Sequence, residues 1–232
     1  MFKLRKSSER GASKTDWLDS RHTFSFNDYY DPDESGWSVL RVINEDRVAP
    51  GGGFAPHSHH DMEIITWVIS GALEHKDSLG NGSVIRPGDA QRMSAGRGVT
   101  HSEYNPSREE LVHFLQIWIV PSRSGLAAGY AQRNFAEAER RGRLRLLASP
   151  DGADESVRIN QDARLYASVL SDRQSVSQTI ENGRRAYLHV VRGNVDGGGI
   201  KLAAGDGLKI EKERTIAITA AGDAEVLLFD LP

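Results

Sequence analysis

Four side chains in two short stretches of the chain have the residue types of a metal site. His57 and His59 lie in the stretch GGGFAPHSHHDME, and His101 and Glu103 lie in the stretch GVTHSEYN. Successive side chains of an extended strand point to opposite faces, so the two members of each pair share a face. If the two strands face each other, three imidazoles and one carboxylate meet in one pocket.

This set of donors has the chemistry of a divalent transition-metal site. Imidazole suits iron, copper, nickel and zinc, a carboxylate adds negative charge, and solvent or substrate can fill the remaining positions. The chain has no cysteine, so thiolate ligands, disulfides and cysteine nucleophiles are excluded. We therefore predict a metal-binding β-barrel whose open coordination positions support chemistry.

The elements that must position these residues are short strands separated by turn formers. Apolar, β-branched runs such as EIITWVIS and LVHFLQIWIV are typical of buried strands, and TFSF at 23–26 has the alternation of a strand. Strands and turns recur about every 8 to 12 residues, as in sandwiches and barrels. The fold class is therefore predicted to be all-β, with few short helices.

The second half of the chain repeats the first in outline. The strand, glycine and return strand at 187–195 parallel those at 66–73. The repeat fails at the site, because opposite His101 and Glu103 the second half has only Ile, Ala and Thr. We predict two similar barrels in tandem, of which only the first holds metal.

The predicted domains follow this repeat. Residues 1–125 form the metal-binding barrel, and residues 151–232 form the barrel without ligands. Residues 126–150 form a polar connector, in which FAEAERR at 135–141 is typical of a short helix.

Composition argues against nucleic-acid and membrane binding. The formal net charge of -3 gives no basic surface for phosphate contacts. No apolar run is long enough to span a bilayer, and the basic N-terminal residues are not followed by the apolar segment of a signal peptide. We expect a monomer in the cytoplasm that binds neither nucleic acid directly nor a membrane.

The two stretches resemble the two sequence motifs of cupins. The first motif has the pattern G-x5-H-x-H-x3-E, here with its closing glycine one residue late, and the second ends in G-x2-H-x3-N, here with Ser94 in place of the usual proline. The matched positions are Gly51, His57, His59 and Glu63 in the first motif and Gly98, His101 and Asn105 in the second.

A tighter resemblance, over almost the whole chain, is to the pirin family of bicupins. The blocks RHTFSF, YYDP, HSEYN and LLFDLP carry it, and the chain looks especially like bacterial pirin-like quercetin 2,3-dioxygenases. The resemblance implies two tandem cupin barrels of the jelly-roll, or double-stranded β-helix, type, with metal in the N-terminal barrel. By position, it places the metal ligands on His57, His59, His101 and Glu103.

The general cupin pattern and the pirin pattern assign different carboxylates as the metal ligand. A general cupin would use Glu63, whereas the pirin pattern uses Glu103, and strand parity leaves both open. The pirin resemblance favours Glu103. Glu63 is then expected to hydrogen-bond a ligand imidazole, with a surface carboxylate as the alternative.

The other histidines on these strands are predicted to be structural. His60 points away from the nominated pair and is expected to be solvated or to support a ligand from behind. His75 lies in the charged segment EHKD and is expected at the surface. His113 and His189 lie on apolar strands and are expected in the core.

The implied activity is oxidative cleavage of a flavonol such as quercetin, with incorporation of O₂ and release of carbon monoxide. Glu103 would act as the catalytic base that takes the 3-hydroxyl proton. The implied cofactor is one divalent transition metal ion, which the sequence leaves open among Fe, Ni, Cu, Co, Mn and Zn. The partners are then a small aromatic substrate and O₂.

An alternative function belongs to another class. Pirins are also associated with transcription complexes, so the resemblance also admits, as the second hypothesis, a metal- or redox-responsive regulatory protein that binds a protein partner and has no turnover. A cupin sugar isomerase is disfavoured because the family match lies elsewhere.

Overall fold

The computed structural model describes all 232 residues, and they form two compact units. The N-terminal unit consists of Gly11–Asn134 with Val157–Gln161. The C-terminal unit consists of Met1–Arg10, Phe135–Ser156 and Asp162–Pro232.

The N-terminal unit is built from two antiparallel sheets. The strands of these sheets are β2 (Gly11–Lys14), β3 (Leu18–His22), β4 (Leu40–Val48), β5 (Gly53–His59), β6 (Glu63–Ser70), β7 (Leu73–Asp77), β8 (Gly82–Ile85), β9 (Asp89–Ser94), β10 (Val99–Tyr104), β11 (Val112–Ile119) and β12 (Gly129–Asn134). The short strand β14 (Val157–Arg158) belongs to the same unit but to neither of its two sheets. The larger sheet has the order β12-β9-β6-β11-β4-β3-β2, and the smaller has the order β5-β10-β7-β8.

The C-terminal unit has the same two-sheet plan. Its strands are β1 (Phe2–Arg5), β13 (Arg145–Ser149), β15 (Arg164–Leu170), β16 (Ser175–Thr179), β17 (Arg185–Arg192), β18 (Asn194–Gly197), β19 (Ile200–Ala203), β20 (Gly207–Glu211), β21 (Thr215–Ala220) and β22 (Ala224–Leu231). Strands β1-β20-β17-β22-β15-β13 are neighbours in one sheet, and β16-β21-β18-β19 form the other.

Helical structure is limited to short pieces. They are the α-helix α1 (Glu137–Arg140) and three 3-10 turns at Ser7–Glu9, Pro32–Glu34 and Ala153–Glu155. No helix has the length and apolar composition needed to cross a bilayer. The predicted all-β fold with few short helices is confirmed.

The core of the N-terminal unit has a polar layer between two apolar clusters. One cluster includes Val68 and Phe114, and the other is built around Ile64 and Met93. Between them, in one register across the neighbouring strands β4, β11, β6 and β9, lies a buried set that we call the polar row. Its members are Asn44, Gln116, Thr66 and Gln91.

The core of the C-terminal unit is almost entirely apolar, with Ser168 as a buried polar residue on β15 opposite Val226. At the centre of its larger sheet, three fully buried leucines align across β20, β17 and β22, and we call them the leucine row. They are Leu208, Leu188 and Leu228. They pack in one continuous cluster with the inward side chains of the smaller sheet, including Ile216 and Ile218 of β21.

Two local features differ from the sequence expectations. Met1–Arg10, which were grouped with the first barrel, belong to the C-terminal unit because β1 pairs with β20, with Leu4 opposite Leu208. The segment 23–26 is not a strand. There Ser25 closes a loop, since its N–H donates to the carbonyl of Glu34 (2.7 Å) and its hydroxyl donates to the carbonyl of Asp31 (2.8 Å).

Candidate metal centre

The nominated histidines lie on two paired strands of the smaller N-terminal sheet. Strands β5 and β10 are antiparallel neighbours, with His57 opposite His101 and His59 opposite Val99. The pairing is interrupted between His101 and Glu103, where β5 contributes one residue more than β10. Pro56 lies in this bulge, a position that tolerates a residue without an N–H.

The bulge also depends on a glycine. Gly53 lies opposite Tyr104, and a Cβ at that position would collide with the backbone carbonyl of Glu103. The chain can therefore bring β10 close to the start of β5 only because residue 53 has no side chain.

The three imidazoles form a tight cluster. The ring centroids of His57 and His101 are 4.4 Å apart, those of His57 and His59 are 4.8 Å apart, and those of His59 and His101 are 5.0 Å apart. One ring nitrogen from each lies within 4.8 Å of the others. The alternation of side chains along the two strands thus brings together the histidines that it predicted would meet.

Two of the imidazoles present a free nitrogen lone pair. The Nδ1–H of His57 donates to the carbonyl of Ala55 (2.8 Å), which leaves Nε2 as the basic nitrogen. The Nε2 of His101 is buried and has no hydrogen-bond partner. A buried polar atom without a partner is costly in a folded protein unless it has a function, such as ligating an ion.

The electrostatics of the cluster favour neutral imidazoles. Burial, followed by the neighbouring His57 and His60, lowers the pKa of His59 to about 4. Burial, followed by His57 and His59, lowers the pKa of His101 to about 3. Neutral imidazoles keep the lone pairs that metals bind, and a bound cation would interact favourably with all of these lone pairs. The residues present therefore fit one divalent transition metal ion.

Glu103 belongs to a second, overlapping cluster. Its carboxylate and ring nitrogens of His75 and His101 lie within 4.8 Å of one another, and all three side chains are buried. The Nε2 amide of Gln116 donates to both carboxylate oxygens (3.0 and 2.8 Å), and the hydroxyl of Thr66 donates to the Gln116 carbonyl (3.0 Å). The two clusters share His101.

The carboxyl group of Glu103 is unusually basic. Burial raises its pKa to about 7, with a further rise from nearby Asp46, while the Gln116 and Thr66 hydrogen bonds lower it. A carboxyl group with a pKa near neutrality is suited to accept and return a proton at physiological pH.

His75 does not lie at the surface, and that expectation is wrong. Its side chain is fully buried beside His101, with 5.3 Å between ring centroids, and Tyr130 covers its other side at 5.2 Å. The charged segment EHKD misled the prediction because its residues alternate: Glu74 and Lys76 pair with each other outside, and His75 points inward.

Glu63 is neither a partner of a ligand imidazole nor a surface carboxylate. Its side chain is buried on β6, where it accepts hydrogen bonds from the Ser94 hydroxyl (2.8 Å) and from the backbone N–H and side-chain amide of Asn160 (both 3.1 Å). Both oxygens are thus used to bind Asn160 and β9 of the same unit. The expectation that Glu63 would fix a ligand imidazole is therefore wrong.

The sequence analysis did not identify Gln116 or Thr66 as site residues. Both lie within strongly apolar strands, β11 and β6, at positions where an apolar residue would be expected. A single polar residue on the inward face of such a strand was the available signal, because it must find a buried partner.

Apolar side chains flank the histidine cluster. Trp118 packs edge-on against His59 at 4.9 Å between centroids, and Phe26 packs edge-on against Trp118 at 5.4 Å. Phe54 lies 6.4 Å from His57. These rings form apolar surroundings in which charge interactions at the imidazoles are strong.

Comparison with known proteins places both halves of the chain in described families. Residues 3–119 match the family model described as Pirin, and residues 146–231 match the model described as Quercetinase C-terminal cupin domain. A protein of Escherichia coli (strain K12) named quercetin 2,3-dioxygenase is 49% identical over 100% of this chain and 99% of its own length.

Two further relatives match over nearly the whole chain. A pirin-like protein of Caulobacter vibrioides is 42% identical over 95% of each chain. The crystal structure of the bacterial pirin YhhW from Escherichia coli, in complex with nickel(II), matches with a TM-score of 0.96 and 48% identity over 100% of this chain and 99% of that one. The all-β units are therefore tandem cupin domains, and the chain belongs to the pirin family.

Proposed function

We propose that the N-terminal unit binds one divalent transition metal ion through His57, His59, His101 and Glu103, and that the protein is a quercetin 2,3-dioxygenase. The observation that carries this proposal is the cluster of three imidazoles, in which burial lowers the pKa of His59 and His101, beside the buried carboxyl group of Glu103. The relatives named quercetin 2,3-dioxygenase, and the nickel(II) complex of a bacterial pirin, support the same assignment.

The metal would act as a Lewis acid that stabilises an anionic oxygen of the substrate and promotes its reaction with O₂. Glu103 is the group in this chain placed to take the proton of the flavonol 3-hydroxyl, because its buried carboxylate lies beside the histidine cluster. Gln116 holds the carboxylate in place through hydrogen bonds to both of its oxygens. The overall reaction would open the heterocycle with O₂ incorporation and loss of carbon monoxide.

The rings around the histidine cluster suit a flat aromatic substrate. Trp118, Phe26 and Phe54 offer apolar faces and edges next to the imidazoles. They would also limit the access of water to the reacting groups, which protects a reactive anion from protonation by solvent.

Oxygen consumption and carbon monoxide release with quercetin test the proposal. The protein is stripped of metal, reconstituted with nickel(II) or another first-row ion, and compared with its His57→Ala and Glu103→Gln variants. His60→Ala is the matched control, because His60 neighbours the cluster in sequence while its side chain is 83% exposed.

We expect the reconstituted protein and His60→Ala to consume oxygen equally, and we expect His57→Ala to lose metal and activity together. Glu103→Gln, assayed at a nickel(II) concentration that keeps its site filled, should lower the rate by about 10²- to 10⁴-fold, the usual contribution of a general base. Equal rates in all four proteins would remove the enzymatic claim. Metal binding without turnover of quercetin would support the metal site, contradict the dioxygenase activity and favour the regulatory function.

A further inference from the structure

Two buried residues of β7 lie next to the site and have no part in the proposed chemistry. In the register of β10 and β7, His75 is opposite Glu103 and Asp77 is opposite His101. Both side chains on β7 are completely buried. Buried ionisable groups are expensive, so their hydrogen-bonding partners indicate their purpose.

The two residues and His101 form a chain of contacts. The Oδ2 of Asp77 lies 3.3 Å from Nε2 of His75, and Nδ1 of His75 lies 3.4 Å from Nδ1 of His101. The remaining nitrogen of His101, Nε2, is the buried atom without a hydrogen-bond partner. From Asp77 to His101, every polar atom in this series of contacts therefore has a hydrogen-bonding neighbour except Nε2 of His101.

Asp77 anchors the chain as an ionised carboxylate. Its Oδ1 accepts from the backbone N–H groups of Leu79 (2.9 Å) and Asn81 (3.0 Å) and from the Asn81 side-chain amide (3.1 Å), and its Oδ2 accepts from the same amide (2.9 Å). Burial acts to raise the pKa of Asp77, but these hydrogen bonds and that of His75 lower it below its ordinary value. All of these contacts require acceptors on Asp77.

The positions of the protons follow from this anchor. Because Asp77 only accepts, Nε2 of His75 must carry the hydrogen between them. A neutral His75 then has its lone pair on Nδ1, so the hydrogen between the two Nδ1 atoms belongs to His101. A neutral His101 with its hydrogen on Nδ1 has its lone pair on Nε2, the orphaned atom.

We propose that Asp77 and His75 are positioning residues that hold His101 in the tautomer whose Nε2 can ligate a metal ion. This inference deepens the proposed function and rests on it for the identity of the ligand. Hydrogen-bonded carboxylates behind ligand imidazoles fix ring orientation and tautomer in metal sites, and here a second imidazole extends that connection. His75 is thereby a partner of a ligand, because both of its nitrogens are already engaged.

The substitution Asp77→Asn gives the most direct test. The three donors at Oδ1 will keep the amide oxygen of the new residue there. Its NH₂ group then takes the place of Oδ2, gives up the contact of that atom with the Asn81 amide, and donates to Nε2 of His75. His75 must then carry its hydrogen on Nδ1 and donate to His101, which moves the hydrogen of His101 to Nε2. The substitution therefore reverses the direction of both hydrogen bonds between residue 77, His75 and His101, and it keeps all three side chains in place.

The tautomers are measured by two-bond ¹H–¹⁵N correlation spectra of the metal-free protein, with the signals assigned by single histidine substitutions. We expect an Nε2 lone pair on His101 in the wild-type protein and an Nδ1 lone pair in Asp77→Asn. The inference is overturned if the wild-type protein shows the Nδ1 lone pair, or if the variant leaves the tautomer unchanged.

Metal affinity, measured by competition with a chromophoric chelator for nickel(II), is the second readout. His75→Leu removes the acceptor and should weaken binding by about 10- to 100-fold, the range seen for residues that support ligands. His75→Asn offers an amide oxygen close to the position of Nδ1 and should restore most of the affinity. Glu74→Gln, on the outward face of the same strand, is the matched control and should bind as tightly as wild type.

The outcomes separate this inference from the proposed function. Tight nickel(II) binding that weakens in His75→Leu and recovers in His75→Asn, without quercetin turnover in any protein, supports the positioning role and contradicts the dioxygenase. Quercetin turnover with equal metal affinity in all of these variants supports the dioxygenase and overturns the positioning role. A wild-type protein that binds no metal contradicts the site itself, and with it the purpose proposed for the chain of contacts.

Discussion

The two units place different residues at matched positions of the same strand arrangement. Strand β10 in the order β5-β10-β7-β8 corresponds to β21 in the order β16-β21-β18-β19, and burial alternates along both strands in the same way. The inward residues are Val99, His101 and Glu103 on β10 and Ile216, Ile218 and Ala220 on β21. One pattern of alternation thus supports a donor cluster in one unit and a plain core in the other.

The larger sheets differ in the same sense. The polar row crosses the sheet of the N-terminal unit where the leucine row crosses that of the C-terminal unit. Apolar burial stabilises a fold directly, whereas a buried amide or hydroxyl contributes only if it is paired and costs about 1–3 kcal/mol if it is not. The comparison teaches that Thr66 and Gln116 of the polar row are a cost which the N-terminal unit carries to hold Glu103, whereas the matched Leu188 and Leu228 carry none.

Exchanging a residue type between the two rows should change the free energy of unfolding more than any other substitution considered for this comparison. Leu228→Gln places an amide in an apolar core without a partner, and we expect the free energy of unfolding to fall by about 3–5 kcal/mol. Gln116→Leu removes the donor to both oxygens of Glu103, and the Thr66 hydroxyl remains within reach of Oε1 only. The loss should be about 1–3 kcal/mol, because Oε2 is left as one buried, unpaired acceptor. Denaturant unfolding of the metal-free proteins measures both.

Leu79→Gln is the control for this exchange, since Leu79 is 48% exposed and the same substitution there should change stability by less than about 0.5 kcal/mol. Equal losses in Leu228→Gln and Leu79→Gln would show that the leucine row is not a packed core.

Metal removal should affect one unit and spare the other. A metal ion at about 100 times its dissociation constant stabilises the state that binds it by about 2.7 kcal/mol, so amides that exchange by opening the site should slow about 100-fold. In hydrogen-exchange mass spectrometry with and without nickel(II), we expect this slowing in peptides from β5, β7 and β10. Peptides from the matched strands β16, β18 and β21 should exchange at the same rate in both samples, and slowing there would contradict a site confined to the N-terminal unit.

Asp46 should make the stability of the N-terminal unit depend on pH. Burial, offset in part by a hydrogen bond from Ser20 and reinforced by Glu45, raises its pKa to about 7 from 3.8. Because the folded pKa is the higher one, the contribution of Asp46 to stability is fully present below pH 3.8 and is lost as pH rises through 7.

The substitution Asp46→Asn removes this titration. We expect the metal-free variant to be more stable than wild type by about 1–3 kcal/mol at pH 8, with a difference that shrinks as the pH is lowered to 5. Thermal and urea unfolding at the two pH values measure it. A difference that grows towards pH 5 would have the opposite sign and would show that Asp46 is stabilised as a charged group.

Strand periodicity and local motifs predicted much of this molecule because they depend on near neighbours in the sequence. The pairs His57 with His59 and His101 with Glu103 follow from alternation alone, and runs such as EIITWVIS show burial directly. Alternation also predicts that His75 points inward, but the charged residues on both sides of it made the whole segment look like a surface strand.

Other features depend on pairings between distant segments, which one sequence does not report. The inclusion of β1 in the C-terminal unit depends on its register with β20, more than 200 residues away. The role of Glu63 depends on Asn160, which is 97 residues away and lies in no recognisable motif. Gln116 was visible as a polar residue in an apolar strand, yet its partner Glu103 became evident only when β10 and β11 were placed in space.

Substitution of Glu63 should have the smallest effect on nickel(II) affinity, and it tests most directly which carboxylate is the metal ligand. Its oxygens are taken by Ser94 and Asn160, so Glu63→Gln should lower the stability of the N-terminal unit by about 1 kcal/mol through lost hydrogen bonds. Its effect on nickel(II) affinity should be less than about twofold, because residues without a shared partner act nearly independently. Glu103→Gln provides the contrast, since it should weaken nickel(II) binding strongly while keeping the shape of the side chain. If Glu63→Gln weakens binding as much as Glu103→Gln does, the carboxylate assignment is wrong and β6, rather than β10, supplies the fourth donor.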